Sequence, residues 1–534
     1  MKKPAHTLLV CLCIAALLAC NAPTSIAPTF APSQTPTPTL TATPTDTPTP
    51  TSTPTPTPPF RPNIVYILAD DMTYADLQFM PKTMELLGKG GMSFEQFFVS
   101  MSLCCPSRVC FLRGQYPHNT QITGNTDPDG GFNKFHDLGL ENSTVAVWLQ
   151  QAGYQTALFG KYLNGYPGAA GREYIPPGWS EWYSSVRGDA YQEYNYTLNQ
   201  NGQLVDYAHE PDDYGTDVYA RLAADFIARK SQTGEPFFAY VSVYAPHGPA
   251  TPAPRHTGLF QDLSLPRPPS FNEEDIGDKP AYINVNEPLA EDQIRRLERT
   301  YRQRARSLQA VDEMVANLVA QLESLGQLED TYIFFTSDNG YHLGEHRLPQ
   351  GKNTPYEEDI RVPLLVLGPD IEAGAVVDAL AGNIDLAPTF AELAGIAPPD
   401  FVDGRSLVPF WRNVGRVDNP PYEWREAFLL ERGPQTGFAS VNFSSTPPAL
   451  GLEQPDSPLD IGPAPNYVGI RTADYTYVEY ATGEVELYDL HNDPYQLQNI
   501  VRSADPSLLA MLHAWLEALR QCAAESCRSA EIQP

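Results

Sequence analysis

Three short apolar runs, each followed by polar residues, restrict the folds that this 534-residue chain can adopt. The runs cover residues 63–69, 237–244 and 331–336, and hydrophobic residues occupy consecutive rather than alternate positions in them. Continuous runs of this length are typical of β-strands covered on both faces, as in the parallel sheets of α/β proteins. Ligands of such sheets bind beyond the carboxyl ends of the strands. The chain is therefore predicted to be an α/β protein whose functional site lies where these runs end.

Polar residues that suit a metal ion follow two of these runs. Asp70 and Asp71 come directly after the first run, and Asp338 and Asn339 follow the third. Three carboxylates packed together would repel each other, and a divalent cation relieves that cost. Oxygen ligands suit a hard cation, so the pattern predicts a Ca²⁺ site, with Mg²⁺ as the alternative. Taken separately, the same residues also fit a helix cap and an ordinary turn.

The remaining pattern predicts helices around the sheet and a second, smaller domain. Apolar residues recur at three-, four- and seven-residue steps over 290–325, which predicts one amphipathic helix or a broken pair. Arg295, Arg296 and Arg299 are predicted to belong to its solvated face. Beyond about residue 420 the pattern changes to short strands and a final helix, at 467–471, 475–480, 485–490 and 508–519. The predicted domains are a large α/β domain, residues 61–420, and an α+β subdomain, residues 421–534.

The first 60 residues are predicted to be a targeting signal and a linker. Residues 1–20 combine a basic start, a short apolar run and Cys20, which is typical of a secretory signal and too short for a spanning helix. Residues 17–20 resemble a bacterial lipobox, so a lipid on Cys20 is expected to attach the chain to a membrane at the bacterial cell surface. Simple secretion and an uncleaved anchor are the alternatives. Residues 21–60 are rich in Thr and Pro, which predicts a disordered, extended linker.

Charge and cysteine content limit the classes of partner. A net charge of −29 argues against nucleic acid as a partner, so an anionic substrate would need a locally basic pocket. Cys522 and Cys527 are spaced so that an exported protein can join them in a small disulfide loop. Cys104, Cys105 and Cys110 cluster, but no His or Cys set with ligand spacing accompanies them, which disfavours a soft-metal or redox site.

The sequence Cys-Cys-Pro-Ser-Arg at 104–108, followed by Leu112 and Gly114, resembles the signal that a modifying enzyme recognises in sulfatases. The resemblance implies that a formylglycine-generating enzyme oxidises Cys104 to formylglycine, whose hydrate attacks sulfur. It also implies that Cys104, once modified, belongs to the metal site, and that Arg108 holds the hydrate or a sulfate oxygen. The implied fold is alkaline-phosphatase-like, with a mostly parallel sheet between helices. Arg113 stands where the signal usually has Thr.

Three further segments are similar to the same family. Lys161, in Gly-Lys-Tyr-Leu-Asn at 160–164, resembles the lysine that contacts nucleophile and sulfate. His247 resembles the histidine beside the leaving oxygen, and Lys352 resembles the last active-site lysine. Read singly, these residues would be a helix-end charge, a loop histidine and a surface lysine. Together with the paired C-terminal cysteines, the variants look most like the N-acetylglucosamine-6-sulfatase and heparan endosulfatase branch, which degrades glycosaminoglycans.

The resemblance implies hydrolysis of a sulfate ester on a sugar, with 6-sulfated N-acetylglucosamine as a candidate substrate. The cation, Arg108, Lys161 and Lys352 would neutralise the sulfate oxygens. His247, with Lys352 as a second candidate, would protonate the departing sugar oxygen.

Several alternatives stay open at the level of sequence. Many relatives carry a histidine where this chain has Leu163, so the base that completes the cycle is not assigned; the candidates are His118, His342 and His346. A phosphate or phosphonate ester hydrolase is the second reaction, because a fold does not fix the leaving group. A catalytically dead scaffold that binds glycans is the third. It would predict the loss of a metal-binding or nucleophile residue, and none is missing.

Overall fold

Two β-sheets and thirteen α-helices make up the part of the chain that this computed structural model describes, residues 61–412, 424–433 and 464–532, with a further pair of very short strands. The strands are β1 (Asn63–Ala69), β2 (Met92–Phe94), β3 (Phe97–Phe98), β4 (Gln155–Gly160), β5 (Glu181–Gly188), β6 (Tyr196–Gln200), β7 (Gln203–Tyr207), β8 (Phe237–Ser242), β9 (Thr331–Ser337), β10 (Leu364–Leu367), β11 (Ala375–Val377), β12 (Ala381–Gly382), β13 (Ala427–Arg432), β14 (Tyr467–Thr472), β15 (Tyr475–Tyr480) and β16 (Val485–Asp489). The helices are α1 (Pro81–Thr83), α2 (Cys104–Arg113), α3 (Pro117–Thr120), α4 (Gly131–Asp137), α5 (Val145–Gln151), α6 (Gly215–Lys230), α7 (Ala281–Asn284), α8 (Glu291–Ser324), α9 (Glu357–Ile360), α10 (Leu386–Leu393), α11 (Pro409–Arg412), α12 (Pro506–Leu519) and α13 (Glu525–Ala530).

The large sheet has ten strands in the order β11-β2-β10-β9-β1-β8-β4-β5-β6-β7. Its central strands β9, β1, β8, β4 and β5 run parallel to one another. Strands β10, β6 and β7 are antiparallel to their neighbours. In register, Ile64 of β1 lies between Phe238 of β8 and Tyr332 of β9. The prediction of an α/β fold with a mostly parallel sheet is confirmed.

Both faces of the central strands are covered. Ile64 and Tyr66 pack into an apolar core that includes residues of α2, α5 and α10. Val65 and Ile67 pack into a second core with residues of α6 and α8. Because successive side chains of a strand point to opposite faces, a continuous apolar run supplies both cores at once. The predicted helix over 290–325 is the single 34-residue helix α8.

A smaller antiparallel sheet lies towards the C-terminus. Its strands have the order β13-β14-β15-β16, and α12 packs into the same apolar core. Cys522 and Cys527 form a disulfide. The predicted domain boundary at residue 420, the signal over 1–20 and the linker over 21–60 lie outside the described residues. Within the described ranges, no helix is both long and apolar enough to cross a lipid bilayer.

Candidate active site

Four neighbouring parallel strands bring the predicted site residues to one edge of the large sheet. In spatial order, Asp338 and Asn339 follow β9, Asp70 and Asp71 follow β1, His247 lies five residues beyond β8, and Lys161 follows β4. This is the carboxyl edge at which ligands of α/β sheets bind. Cys104 begins helix α2, and Lys352 lies in the segment between β9 and α9.

Asp70 lies between two buried cations. Its Oδ2 accepts a hydrogen bond from Lys161 Nζ at 2.6 Å and lies 3.7 Å from Arg108 Nη2. Burial opposes ionisation, but Lys161, His247 and Arg108 together lower the pKa of Asp70 below its ordinary value. Burial likewise opposes the charge of Lys161, yet Asp70 and Cys104 raise its pKa well above the ordinary value. Both members of the pair are therefore ionised at neutral pH.

Cys104 is fully buried among charged groups. Its Sγ lies 2.8 Å from Lys352 Nζ and 3.5 Å from Asp70 Oδ1. Burial raises the pKa of the thiol well above its ordinary value, although Lys161 and Lys352 act in the opposite direction. Because the thiolate is the reactive form of cysteine, the encoded side chain is a poor nucleophile in this position.

Asp71 combines a strained backbone with a partly satisfied carboxylate. Its φ of 64° lies in the left-handed region, which costs a non-glycine residue roughly 1–2 kcal/mol. Asp71 Oδ1 accepts hydrogen bonds from Asn339 Nδ2 at 2.7 Å and from Lys352 Nζ at 2.8 Å. Its buried Oδ2 makes no hydrogen bond with any described residue and lies 3.6 Å from His247 Nε2. The strained conformation thus presents to the centre of the site a carboxylate oxygen whose near neighbour is His247.

The donor set fits a divalent cation. Asn339 Oδ1, like Asp71 Oδ2, is buried and has no hydrogen-bond partner among residues 61–412, 424–433 and 464–532. A buried unsatisfied acceptor costs roughly 1–3 kcal/mol, which coordination to a cation would remove. The ligand atoms of Asp70, Asp71, Cys104 and His247 all lie within 4.8 Å of one another. His247 was predicted to lie beside the leaving group, and the structure groups it with these residues.

Both carboxylate oxygens of Asp338 accept hydrogen bonds from other residues of the protein. Its Oδ2 accepts from Arg108 Nε at 2.8 Å, and its Oδ1 accepts from the backbone N–H of Asp71 at 3.1 Å. Arg108 Nη1 donates to Ser242 Oγ at 2.7 Å, whereas its buried Nη2 makes no hydrogen bond in the described part of the chain. Arg108 is thus fixed on two sides and keeps a donor for an anion. Ser242 was missed in the sequence, although it is the last residue of β8.

The three histidines proposed as alternative bases each contact a carboxylate. The pairs are His118 with Glu431 at 3.0 Å, His342 with Asp359 at 3.0 Å and His346 with Glu273 at 2.7 Å. Leu163 packs in the apolar core on the α2 face of the sheet. Among the described histidines, His247 is the one grouped with Asp70, Asp71 and Cys104.

Arg113, which replaces the usual Thr of the motif, contacts two main-chain carbonyls and an aromatic ring. Its guanidinium donates to the carbonyls of Leu140 and Ser143 and lies 4.0 Å from the ring centroid of Phe401. The side chain therefore supports the packing of helix α2 on its surroundings.

Comparison with known proteins identifies relatives along most of the chain. The family model for sulfatases matches residues 62–396. N-acetylglucosamine-6-sulfatase of Capra hircus is 37% identical over 486 residues, which cover 88% of this chain and 86% of the goat protein. An extracellular sulfatase homolog of Drosophila melanogaster is 38% identical over 381 residues, 70% of this chain and 33% of that protein. A solved structure of a protein in complex with its substrate D-glucosamine-2-N,6-O-disulfate has a TM-score of 0.69 and 24% identity, covering 88% of this chain and 98% of the other.

The predicted location on a bacterial cell surface is wrong by this comparison. These curated relatives are animal proteins, one of them an extracellular sulfatase, and neither is a bacterial surface lipoprotein. The prediction depended on the residues just before Cys20. Small and apolar residues are common in any export signal. A pattern of four residues therefore says little about whether a lipid is attached to Cys20.

The fold and the motif agree with the comparison. The matched range 62–396 contains the strand ends, the Cys104 motif, and all of Lys161, His247 and Lys352. The alkaline-phosphatase-like architecture predicted from the resemblance is confirmed. The chain belongs to the sulfatase family, whose members are sulfuric ester hydrolases.

Proposed function

We propose that this protein removes the sulfate from a 6-sulfated N-acetylglucosamine or a closely related amino sugar. The observation that carries the proposal is the convergence of Arg108, Lys161 and Lys352 on the carboxylates around Cys104. The substrate class is supported by the N-acetylglucosamine-6-sulfatase of goat, similar along 88% of this chain, and by the 6-O-sulfated ligand of the structural neighbour.

Charge balance in the site favours a divalent cation together with an anionic ester. The carboxylates of Asp70, Asp71 and Asp338 are matched in number by the cationic groups of Arg108, Lys161 and Lys352. A sulfate monoester alone would leave one excess negative charge in this buried place. With a divalent cation, the excess is a single positive charge, which favours binding and the charge that develops on the sulfate oxygens. We therefore propose a Ca²⁺ site, with Mg²⁺ as the alternative, held by Asp70, Asp71, Asn339 and modified Cys104, with Asp338 beside it.

Conversion of Cys104 to formylglycine by its modifying enzyme is part of the proposal, because it supplies a hydrated aldehyde in place of a protonated thiol. Lys352 Nζ, 2.8 Å from Cys104 Sγ, then stands next to the attacking oxygen and stabilises it in its ionised form. Arg108 Nη2 and Lys161 bind sulfate oxygens from the side of Asp70.

His247 is placed to act on the departing sugar oxygen. Its Nδ1 lies 2.8 Å from the Gly248 carbonyl, so Nδ1 carries a proton and Nε2 faces Asp71. With Nδ1 protonated, the imidazolium form of His247 carries a second proton on Nε2, which passes to the leaving oxygen and leaves the neutral ring; the ring regains that proton from water or from the nucleophile side.

The experiment compares wild-type protein, co-expressed with a formylglycine-generating enzyme, with Cys104→Ala and with Cys110→Ala. Cys110 is buried in the same helix but outside the charged cluster, so its variant controls for packing damage. We expect wild type and Cys110→Ala to release sulfate from N-acetylglucosamine 6-sulfate, and Cys104→Ala to release none. The wild-type peptide containing Cys104 should be about 18 Da lighter than the thiol form. Unchanged turnover in Cys104→Ala would sink the proposal.

The same preparations separate the alternatives. If protein with verified aldehyde hydrolyses phosphate or phosphonate esters but no sulfate ester, the second reaction, phosphate or phosphonate ester hydrolysis, is the correct one. If protein with verified aldehyde binds glycans but hydrolyses neither kind of ester, the protein is a catalytically dead scaffold.

We also propose that residues 61–420 form the catalytic domain and residues 421–534 a supporting subdomain. The site residues all precede residue 353, and the antiparallel sheet has a core made largely of its own residues and those of α12.

A further inference from the structure

Arg304 lies on the buried face of helix α8, directly beneath the candidate site. It follows Tyr301 by three residues and precedes Leu308 and Val311 by four and seven, so it shares their face of the helix. Only 1% of Arg304 is exposed. An arginine is seldom buried to this degree unless its guanidinium meets several acceptors.

The guanidinium of Arg304 connects two separate segments of the site. Its Nη2 donates to the main-chain carbonyl of Asp71 at 2.5 Å and to Asp76 Oδ2 at 2.7 Å. Its Nη1 lies 3.3 Å from the carbonyl of Pro246, the residue before His247. One rigid planar group therefore contacts the segment that follows β1 and the segment that follows β8.

These contacts hold the backbone of Asp71 and the backbone just before His247. Asp71 adopts a left-handed backbone conformation, and its buried carbonyl accepts the Arg304 hydrogen bond. The Tyr341 ring, 4.7 Å from the guanidinium carbon, and the Asp76 carboxylate compensate the burial of the charge. Arg304 does not touch the Asp71 carboxylate, so it acts on the site through the backbone.

We propose that Arg304 is a positioning residue that sets the affinity of the site for a divalent cation, by holding the backbones of Asp71 and His247 at a fixed separation. The proposal rests on the proposed function, since it concerns the same cation. Groups that orient metal ligands from behind typically change metal affinity 10- to 100-fold when they are removed.

The test measures binding of Ca²⁺ by calorimetry, on EDTA-treated protein, in the Cys104→Ala background. That background holds the state of residue 104 constant and has no turnover, so ion binding is read separately from activity. We expect Arg304→Met to weaken Ca²⁺ binding about 10- to 100-fold. Arg304→Lys keeps a charge beside Asp76 but cannot reach all three acceptors, so an intermediate loss of affinity is expected.

Two control variants separate positioning from stability. Asp76→Asn removes the ion pair but leaves both carbonyl contacts of Arg304, so it should lower the unfolding temperature while Ca²⁺ affinity stays within about threefold of the parent. Arg306→Met removes a partly exposed arginine two residues further along helix α8, whose Nε donates to the Leu259 carbonyl. It should change neither the unfolding temperature nor the Ca²⁺ affinity. If Arg304→Met does not fold, as judged by circular dichroism, the comparison is made on Arg304→Lys.

The outcomes distinguish the two proposals. Unaltered Ca²⁺ affinity in a folded Arg304 variant overturns the role of Arg304 and leaves the sulfatase proposal standing. A loss of affinity in Asp76→Asn as large as in Arg304→Met also overturns it, because it would mean that general destabilisation sets the affinity. If the Cys104→Ala parent binds no ion because it lacks one proposed ligand, the same comparison is made on wild-type protein with verified aldehyde. Wild-type protein that binds neither Ca²⁺ nor Mg²⁺ overturns both this inference and the proposed metal site.

Discussion

At the scale of single residues, Glu193 shows how this protein tolerates a buried acid away from the active site. Only 2% of the residue is exposed, and its Oε2 accepts hydrogen bonds from the backbone N–H of Thr216 at 2.6 Å and from Thr216 Oγ1 at 3.1 Å. Burial raises the pKa of Glu193 to about 8, although the Thr216 bonds act against the shift. Much of the Glu193 population is therefore protonated in the folded protein at neutral pH.

Replacement of Glu193 by Gln should flatten the dependence of stability on pH. A folded pKa above the unfolded value means that the folded state binds the proton more tightly, so its contribution to stability is complete at low pH. That contribution is lost as the pH rises from about 4.5 through about 8. Wild type should lose on the order of 4 kcal/mol more than Glu193→Gln between about pH 5 and pH 8.5. Urea unfolding at both pH values measures this, and equal slopes for the two proteins would contradict it.

The residues of the site differ in how far the sequence predicts them. Asp70, Asp71 and Asp338 could be found because each follows an apolar run directly, and the geometry of parallel strands then brings them together. Arg304 could not be assigned, because helical periodicity places it on the buried face without saying which loops that face meets. The grouping of His247 with Asp70, Asp71 and Cys104 likewise depends on the path of the segment after β8, which no local pattern fixes.

At the scale of elements, helix α2 places Cys104, the proposed nucleophile, and the way the helix ends fixes its position. Cys104 is its first residue, and Gly114 ends it in the left-handed conformation with φ of 65°. The Gly114 N–H donates to the Cys110 carbonyl, which closes the last turn. A Cβ on Gly114 would lie 2.9 Å from Val402 Cγ1. The end of the helix is thus constrained both by its backbone and by its neighbours.

Gly114→Ala should destabilise the protein more than Gly326→Ala, a matched change after helix α8. Gly326 also has a φ of 65°, but a Cβ there would meet nothing within 4 Å. The control isolates the backbone cost, about 1 kcal/mol, and Gly114→Ala should add roughly 1–3 kcal/mol from overpacking. Chemical denaturation of both variants gives the comparison. Equal losses would mean that Val402 moves aside freely.

Some strands of the large sheet can be predicted from the sequence, and others cannot. Strands β1, β8 and β9 were predicted because they are buried on both faces and so read as continuous apolar runs. Strand β10 has only four residues, Leu364–Leu367, and β7 is mostly exposed, so neither has a pattern that distinguishes a strand from a loop. Their positions come from pairing with neighbours that are already in place.

At the scale of the whole molecule, a buried ionic cluster joins the C-terminal end to the large sheet region. Glu531 accepts from Tyr116 Oη at 2.5 Å and from Arg405 Nη2 at 2.9 Å, and lies 3.1 Å from Arg425 Nε. Arg425 also binds Asp385 with both Nη groups. Segments that are more than 400 residues apart in sequence therefore share one set of charges.

Glu531→Gln should unfold the protein at a clearly lower denaturant concentration, because it leaves Arg405 and Arg425 with one carboxylate fewer in a buried place. Removing one partner of a buried ion pair costs about 3–5 kcal/mol. Glu525→Gln is the matched control, since Glu525 is largely exposed and its pair with Arg528 is worth about 0–1 kcal/mol. Fluorescence-detected urea unfolding measures both. A loss no larger than that of the control would show that the cluster does not hold the two regions together.

The complete burial of Cys104 has a consequence for the order of events in the cell. Once the strands and helix α2 have closed around the sulfur, no second protein can insert its own reactive centre there. The proposed oxidation of this side chain would therefore have to precede folding of the surrounding polypeptide. A molecule that folds with an unmodified Cys104 could then be modified only after unfolding, so under the proposal the yield of active enzyme depends on the relative rates of modification and folding.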